Sequence, residues 1–156
     1  MIFPENFEEL LRAFNKFQVN YMVVGAYALN FHGYNRTTSD LDIWVESSDQ
    51  NKSKIHEAFH SMDLPKEMLE EFLMLDFSKS YIFRIGERPD CVEIFNAITG
   101  VKFNEAAAHK VRFEFARGLN VDFIDWRELV INKMLTGRTK DKADVEELQK
   151  ILRLKK

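Results

Sequence analysis

The sequence predicts a mixed α/β (α+β) domain, in which one sheet is flanked by helices. Helical and strand-like patterns alternate along the chain, as expected when both kinds of element share one layered core. The chain has 156 residues, of which 46% are hydrophobic and 14 are Phe, enough apolar material for one core of domain size. Because no low-complexity linker divides the chain, we expect one domain over residues 1–156, with a C-terminal helical part at about 125–156.

Each element is predicted from a local pattern. Apolar residues at three- and four-residue steps after Pro4 predict a first helix, and adjacent valines in YMVVG predict a short buried strand that turns at Gly25. The segment AYALNFHG reads as a short helix closed by Gly33. The later elements are predicted, in order, as a strand at LDIWVE, helices over roughly 50–61 and 65–75, strands at YIFRIG and CVEIFN, a hairpin around Gly118, and helices near 125–136 and 141–152.

Composition favours a cytoplasmic protein. No apolar run approaches the roughly 18 to 20 residues that span a bilayer, and the start MIFPENFEEL lacks the features of a signal peptide. Cys91 is the only cysteine, which excludes an internal disulfide. Residues 127–156 contain nine Lys or Arg against five Asp or Glu, a net charge of +4 in a chain whose total is -3. This basic segment suits phosphate binding or, equally, a solvated helix surface.

The stretch HEAFH, residues 56–60, matches the His-Glu-x-x-His pattern of zinc peptidases. A zinc peptidase needs a third ligand, and the extended pattern fails because Asp63 and Lys66 stand where Gly and His belong. The apolar residues of this predicted helix form a stripe of their own beside the two histidines. We therefore interpret His56 and His60 as surface residues.

Asp40 and Asp42 form the strongest candidate site. Side chains two residues apart on a strand point to the same side, so the two carboxylates meet, while Leu41 and Ile43 face the core. Two adjacent negative charges favour a cation between them, and oxygen ligands of this kind suit Mg²⁺ or Mn²⁺. On the pair alone, the alternative is a turn residue beside a surface aspartate.

The surrounding segment resembles the signature of the DNA polymerase β-like nucleotidyltransferase superfamily. The signature consists of an apolar strand, Gly followed by Gly or Ser, a spacer, and Asp-x-Asp or Asp-x-Glu among apolar residues. Here Val24 and Gly25 precede Ala26, which replaces the usual Gly or Ser, and Asp40 and Asp42 follow the spacer. The resemblance implies a third carboxylate on a later strand; Glu93 in CVEIFN is the match, with Asp90 and Asp122 as weaker candidates.

The end of the chain resembles the abortive-infection and type IV toxin-antitoxin nucleotidyltransferases. A helix with Lys, followed by Arg-x-Lys-Asp and a further Asp, matches Lys133, Arg138, Lys140, Asp141 and Asp144. With the middle segment EIFNAITGVKFNEA, the resemblance covers about residues 20–150. It implies that Lys133 and Arg138 contact phosphate and that Asp141 orients them or caps the last helix.

The activity implied by the resemblance is metal-dependent transfer of a nucleoside monophosphate from a nucleoside triphosphate, such as ATP, to an acceptor hydroxyl. Asp40, Asp42 and Glu93 would be the catalytic residues and the ligands of Mg²⁺ or Mn²⁺, and Glu93 would complete the metal site or accept a proton. The nucleotide-binding residues would be Gly25, Ala26, Arg36, Thr37, Thr38, Ser39, Lys133 and Arg138.

The acceptor stays open among a protein hydroxyl, an RNA end and a small molecule. An antitoxin or a helical protein is an expected partner by resemblance, and a membrane is not. Overall acidity argues against strong non-specific RNA binding, although the basic C-terminus leaves contact with an RNA end open. A binding protein that keeps the fold but has little catalysis is the alternative function, and Ala26 is the feature that favours it.

Overall fold

The structure is a computed structural model that describes residues 4–35, 37 and 40–154. The helices and strands in these residues follow the order α1 (Glu5–Lys16), β1 (Tyr21–Val24), α2 (Gly25–Phe31), β2 (Leu41–Val45), α3 (Asp49–Ser61), α4 (Lys66–Leu73), β3 (Ile82–Ile85), β4 (Val92–Phe95), α5 (Phe103–Ala107), β5 (Val111–Ala116), β6 (Leu119–Phe123), α6 (Trp126–Thr136) and α7 (Thr139–Leu154). None of the described helices has the length and apolar character needed to cross a membrane.

The six strands form one mixed sheet in the order β3-β4-β2-β1-β6-β5. The pairs β2 with β4 and β1 with β6 are parallel, and the pairs β1 with β2, β3 with β4 and β5 with β6 are antiparallel. Parallel neighbours require a crossover connection, which the intervening elements supply. The sheet therefore has an antiparallel pair at its centre, a parallel pair on each side of it and an antiparallel hairpin at each edge.

The main core lies where α1 and α3 cover one face of the sheet. Alternate residues of the central strands point into it, and Leu41, Ile43 and Ile94 are fully buried. Aromatic side chains extend this core outward, because Phe59 packs against both Phe14 and Phe72. Alternation along β2 leaves the opposite face of the sheet for Asp42.

Local signals fix the ends of several helices. Ser48 caps α3 by accepting a hydrogen bond from the backbone N–H of Asn51 at 3.1 Å. The side chain of Asp125 caps α6, which ends at Gly137 in the left-handed conformation, with φ of 70°. Helix α6 therefore has a defined cap at each end.

The predicted mixed α/β fold is confirmed, with each predicted helix and strand present. Helix α5 was not among the predictions, because five residues are too few to show a helical period. Helix α7 begins at Thr139, two residues before the predicted start. Asp141 accordingly lies inside the first turn of α7 and does not cap it.

Candidate active site

Three carboxylates meet at one edge of the parallel pair β2 and β4. Asp42 lies directly opposite Glu93 in the register of these strands, and Asp40 immediately precedes β2. Val92 and Ile94 point into the core on either side of Glu93, as the alternation predicts. Because neighbouring strands in register place side chains on the same face, the tertiary structure brings Glu93 beside the Asp-x-Asp pair.

The pKa of Asp42 is strongly shifted by its surroundings. Burial, followed by the negative charges of Glu93 and Asp40, raises the pKa of the Asp42 carboxyl from 3.8 to about 7, while the charge of Lys133 opposes the shift. At Asp42, burial and two negative charges thus outweigh one positive charge. A perturbation of this kind, in a cavity, is typical of functional sites.

Gly25 is required by the position of Asp42. Its φ of +67° lies in the left-handed region, and a Cβ atom at this position would come within 2.2 Å of the Asp42 Oδ2 atom. A side chain here would therefore displace the carboxylate. The sequence motif predicted a glycine for access to phosphate; the structure adds that the glycine makes room for Asp42.

The carboxylates open into a polar cavity of about 400 Å³. Its walls come from β1 and α2, from the β2–β4 edge, and from α6 and the start of α7. The residues lining it are Val24, Gly25, Ala26, Asp40, Asp42, Arg88, Glu93, Phe95, Ile98, Leu129, Asn132, Lys133, Arg138, Lys140 and Asp141. The N-terminal motif and the C-terminal basic segment thus share one site.

Lys133 on α6 is held by two aspartates of α7. Its Nζ atom lies 3.2 Å from Asp141 and 3.2 Å from Asp144, and all three residues are buried. Asp141 also accepts hydrogen bonds from Arg138 and Thr136, both at 2.6 Å. Burial acts to raise the pKa of Asp141, but these hydrogen bonds and the charge of Lys133 outweigh it, so the pKa is lowered. Asp141 therefore orients both cations.

Two arginines at the site were not predicted from the sequence. Arg84 on β3 donates a hydrogen bond to Glu93 at 3.1 Å, and Arg88 in the turn between β3 and β4 forms an ion pair with Asp40 at 3.6 Å. Pairing of β3 with β4 places Arg84 opposite Glu93. The sequence did contain a signal for Arg84, because an arginine on a strand predicted to pair with the strand of Glu93 can face Glu93 across the hairpin.

The loop expected to bind the triphosphate is described only in part. Arg36, Thr38 and Ser39 lie outside the described residues. Thr37 is exposed. Ala26 lines the cavity beside Gly25, where the resemblance places it.

The donor set suits Mg²⁺ or Mn²⁺, because three carboxylates supply hard oxygen ligands and the negative charges of Glu93 and Asp40 act on Asp42 more strongly than the positive charge of Lys133. In the described part of the chain, no three His, Cys, Asp or Glu side chains already converge closely enough to hold a metal ion together. Binding of one ion by Asp40, Asp42 and Glu93 together would therefore require these side chains to move.

Other candidates from the sequence lie elsewhere. His56 and His60 line a shallow surface depression on α3 with Phe17, Glu57 and Ser61. Asp122 is paired with Arg112 and Lys110 and lines a different pocket.

The aromatic residues near the motif belong to the core. Trp44 is buried and packs edge-on against Phe103, and Phe31 stacks on Phe123 at a ring separation of 4.2 Å. Tyr34 is partly buried against the same core.

No protein-family model and no curated protein sequence matches the chain. Among solved structures, it is similar to a protein of Thermotoga maritima described as a "putative nucleotidyltransferase (TM1012)". The two chains are 21% identical and superpose with a TM-score of 0.61, over 98% of this chain and 96% of that one. The protein therefore has a nucleotidyltransferase-like fold, with the carboxylate cavity described above.

Proposed function

We propose that the protein is a metal-dependent nucleotidyltransferase that moves a nucleoside monophosphate from a nucleoside triphosphate to an acceptor hydroxyl. The observation that carries the proposal is the cavity itself. Asp40, Asp42 and Glu93 line it together with Lys133 and Arg138. Carboxylates and cations in one cavity suit a polyphosphate bound through divalent ions.

In the proposed reaction, the acceptor oxygen forms a bond to the α-phosphorus as the bond to the bridging oxygen of the β-phosphate breaks. Pyrophosphate leaves with that oxygen. Mg²⁺ or Mn²⁺, held by Asp40, Asp42 and Glu93, would neutralise charge on the entering and leaving oxygens. Glu93 is the candidate to accept the hydroxyl proton where it is not engaged as a metal ligand.

The cations of α6 and α7 would bind the phosphates. Lys133 is fixed by Asp141 and Asp144, so its ammonium group is positioned before the nucleotide arrives. Arg138 is anchored by Asp141 through Nε, and its remaining guanidinium donors suit phosphate oxygens. Gly25 and Ala26 would allow the backbone to approach the triphosphate.

Three classes of acceptor remain in the proposal: a protein hydroxyl, an RNA end and a small molecule. A role in a toxin-antitoxin or defence system, with an antitoxin or helical partner, is supported by the resemblance of the C-terminal motif. Incubation of the protein with labelled nucleotide and each acceptor class would assign the label. A labelled partner protein would support the toxin-antitoxin role.

The first test is calorimetric binding of each nucleoside triphosphate with Mg²⁺ to the native protein and to an Asp40→Asn, Asp42→Asn variant. We expect metal-dependent binding by the native protein and its loss in the variant. Asp90→Asn, at an exposed carboxylate in the β3–β4 turn, serves as the matched control and should bind normally.

Absence of binding by the folded native protein would overturn the proposal. Binding without transfer to any acceptor would favour the alternative, a nucleotide-binding protein with little catalysis. The observation that favours this alternative is Ala26, which lines the cavity in place of the usual Gly or Ser.

A further inference from the structure

Two of the three carboxylates are neutralised by arginines from the same edge hairpin. Arg84 contacts Glu93 at 3.1 Å, and Arg88 contacts Asp40 at 3.6 Å. Among the described residues, Asp42 is the one of the three carboxylates that forms no ion pair with an arginine. The hairpin of β3 and β4 thus brings two positive charges to the place where a divalent cation would also bind.

The exposure of Arg84 and Arg88 indicates that a divalent cation can displace both of them from the carboxylates. The side chains of Arg84 and Arg88 are 64% and 81% exposed, whereas Glu93 and Asp40 are largely covered. Ion pairs with an exposed partner are weak, because water and salt screen them and the long side chain loses entropy. A divalent ion carries twice the charge and binds carboxylate oxygens directly, so it would compete effectively for them.

The two arginines differ in their position relative to the cavity. Arg88 is among the residues that line it, and Arg84 is not. Once released from Asp40, the Arg88 guanidinium would still lie at the cavity wall, within the space that a polyphosphate would occupy. Arg84, on the outer strand, would instead turn toward solvent.

We infer that Arg84 and Arg88 are exchangeable counterions of the carboxylate site, displaced when a divalent cation binds, and that the displaced Arg88 then contacts the nucleotide phosphates. The nucleotide step of this inference rests on the proposed function. The metal step can be measured on the protein without nucleotide. In this account Arg88 becomes a phosphate-binding residue, and Arg84 serves only as a counterion of Glu93. Binding of metal would prepare the site for nucleotide by freeing a cation that was held by Asp40.

The test measures Mn²⁺ binding without nucleotide, by the paramagnetic signal of the free ion, and then nucleotide binding at saturating Mn²⁺, by calorimetry. Arg84→Gln and Arg88→Gln should each bind Mn²⁺ about two- to five-fold more tightly than the native protein, since the ion no longer displaces an arginine. Nucleotide affinity should fall about ten-fold in Arg88→Gln, through loss of a charge-assisted hydrogen bond, and stay within about two-fold in Arg84→Gln.

Arg138→Gln is the matched control for charge. It removes a cation from the same cavity, but the ion pair that this cation forms is with Asp141 and lies outside the three carboxylates. It should weaken nucleotide binding and change Mn²⁺ affinity by less than about 1.5-fold. Each of the three variants is therefore expected to show a different combination of changes in Mn²⁺ affinity and nucleotide affinity.

Equal Mn²⁺ affinities in Arg84→Gln, Arg88→Gln and the native protein would overturn the inference and leave the proposed function standing. Failure of all of these proteins to bind Mn²⁺ at millimolar concentration would also overturn it. Tighter Mn²⁺ binding in both variants without nucleotide binding by any protein would support the counterion exchange and contradict the nucleotidyltransferase proposal.

Discussion

At the scale of single residues, Asp42 has a carboxyl pKa that is strongly shifted by its surroundings. It shares its surroundings with Asp40 and Glu93, and its pKa is raised to about 7 by burial and by these two charges. The folded protein therefore binds a proton at Asp42 over a pH range in which the unfolded chain does not. Between pH 3.8 and about 7, this difference makes the folded state less stable as pH rises.

We expect Asp42→Asn to flatten this pH dependence in the metal-free protein. The favourable contribution of the protonated carboxyl is fully present below pH 3.8 and is lost as pH rises through about 7. A shift of about three pKa units corresponds to at most about 4 kcal/mol. The variant should exceed the native protein in free energy of unfolding by about 2 to 4 kcal/mol at pH 8 and by little at pH 4.

Urea unfolding with a chelator present, at pH 4, 6 and 8, would measure this difference. Asp90→Asn, at an exposed carboxylate, should follow the native profile. Parallel profiles for Asp42→Asn and the native protein would show that Asp42 is not perturbed in the folded state.

Gly25→Ala should disrupt the site as well as the backbone. The left-handed φ costs a non-glycine residue about 1 to 2 kcal/mol, and the new Cβ would lie 2.2 Å from Asp42 Oδ2. We expect a loss of stability of about 3 kcal/mol or more, together with loss of Mn²⁺ binding.

Gly118→Ala is the matched control for Gly25→Ala. Its φ is +76°, and the nearest atom to its Cβ would be 4.0 Å away on the side chain of Arg12. This variant should show only the backbone strain and should keep metal binding. Equal losses of stability and metal binding in the two variants would contradict the assigned role of Gly25.

At the scale of elements, α6 and α7 are joined by a buried ionic cluster in addition to apolar packing. Lys133 from α6 lies between Asp141 and Asp144 of α7, and these contacts are shielded from solvent. Buried charges of this kind are destabilising when one partner is removed, because the remaining charge has lost its counterion. The cluster therefore fixes the relative position of the two helices that complete the cavity.

We expect Asp141→Ala to destabilise the protein by about 3 kcal/mol. Asp141 accepts hydrogen bonds from Lys133, Thr136 and Arg138, so its removal leaves three donors without this acceptor. Chemical unfolding of the variant and the native protein measures the difference. A loss of less than about 1 kcal/mol would contradict a central role of Asp141 in the cluster.

The folded-state pKa of Asp141 lies below its ordinary value, so its stabilisation is present above that value and is lost as pH falls through the folded pKa. Acid unfolding of Asp141→Asn should accordingly depend less on pH below about 4 than that of the native protein.

At the scale of the whole molecule, the C-terminal helices share the core of the sheet. Leu129 of α6, together with Val145 and Leu148 of α7, belongs to the same buried apolar cluster as the strands. We predict a single cooperative unfolding transition for the whole chain, since no separate core exists among the described residues for the C-terminal part.

The two tryptophans provide the test of cooperativity. Trp44 is buried in the sheet, and Trp126 begins α6. Fluorescence of the single-tryptophan variants Trp44→Phe and Trp126→Phe should give unfolding curves that agree, within each variant, with its far-ultraviolet circular dichroism. An earlier transition seen by Trp126 alone would indicate a separately unfolding C-terminal part.

The sequence by itself predicted the helices and strands other than α5, and it named Asp40, Asp42 and Glu93 as candidate metal ligands. Alternation along a short strand placed Asp40 and Asp42 on the side away from Leu41, and the same rule placed Glu93 opposite Val92 and Ile94. These predictions depend on neighbours one or two residues away, which a chain displays directly. The C-terminal cations were predicted on a different basis, from the resemblance of a short motif to a known family.

Only the tertiary structure decided which distant residues meet. The register of β2 with β4 set Glu93 beside Asp42, and the edge hairpin brought Arg84 and Arg88 to the carboxylates. Packing of α6 against α7 buried Lys133 between two aspartates. The closeness of the Asp42 carboxylate to the backbone at residue 25 explained why that residue is a glycine. Such contacts depend on strand order, register and helix packing, which are cooperative properties of the whole chain, whereas strand alternation is a property of the local backbone.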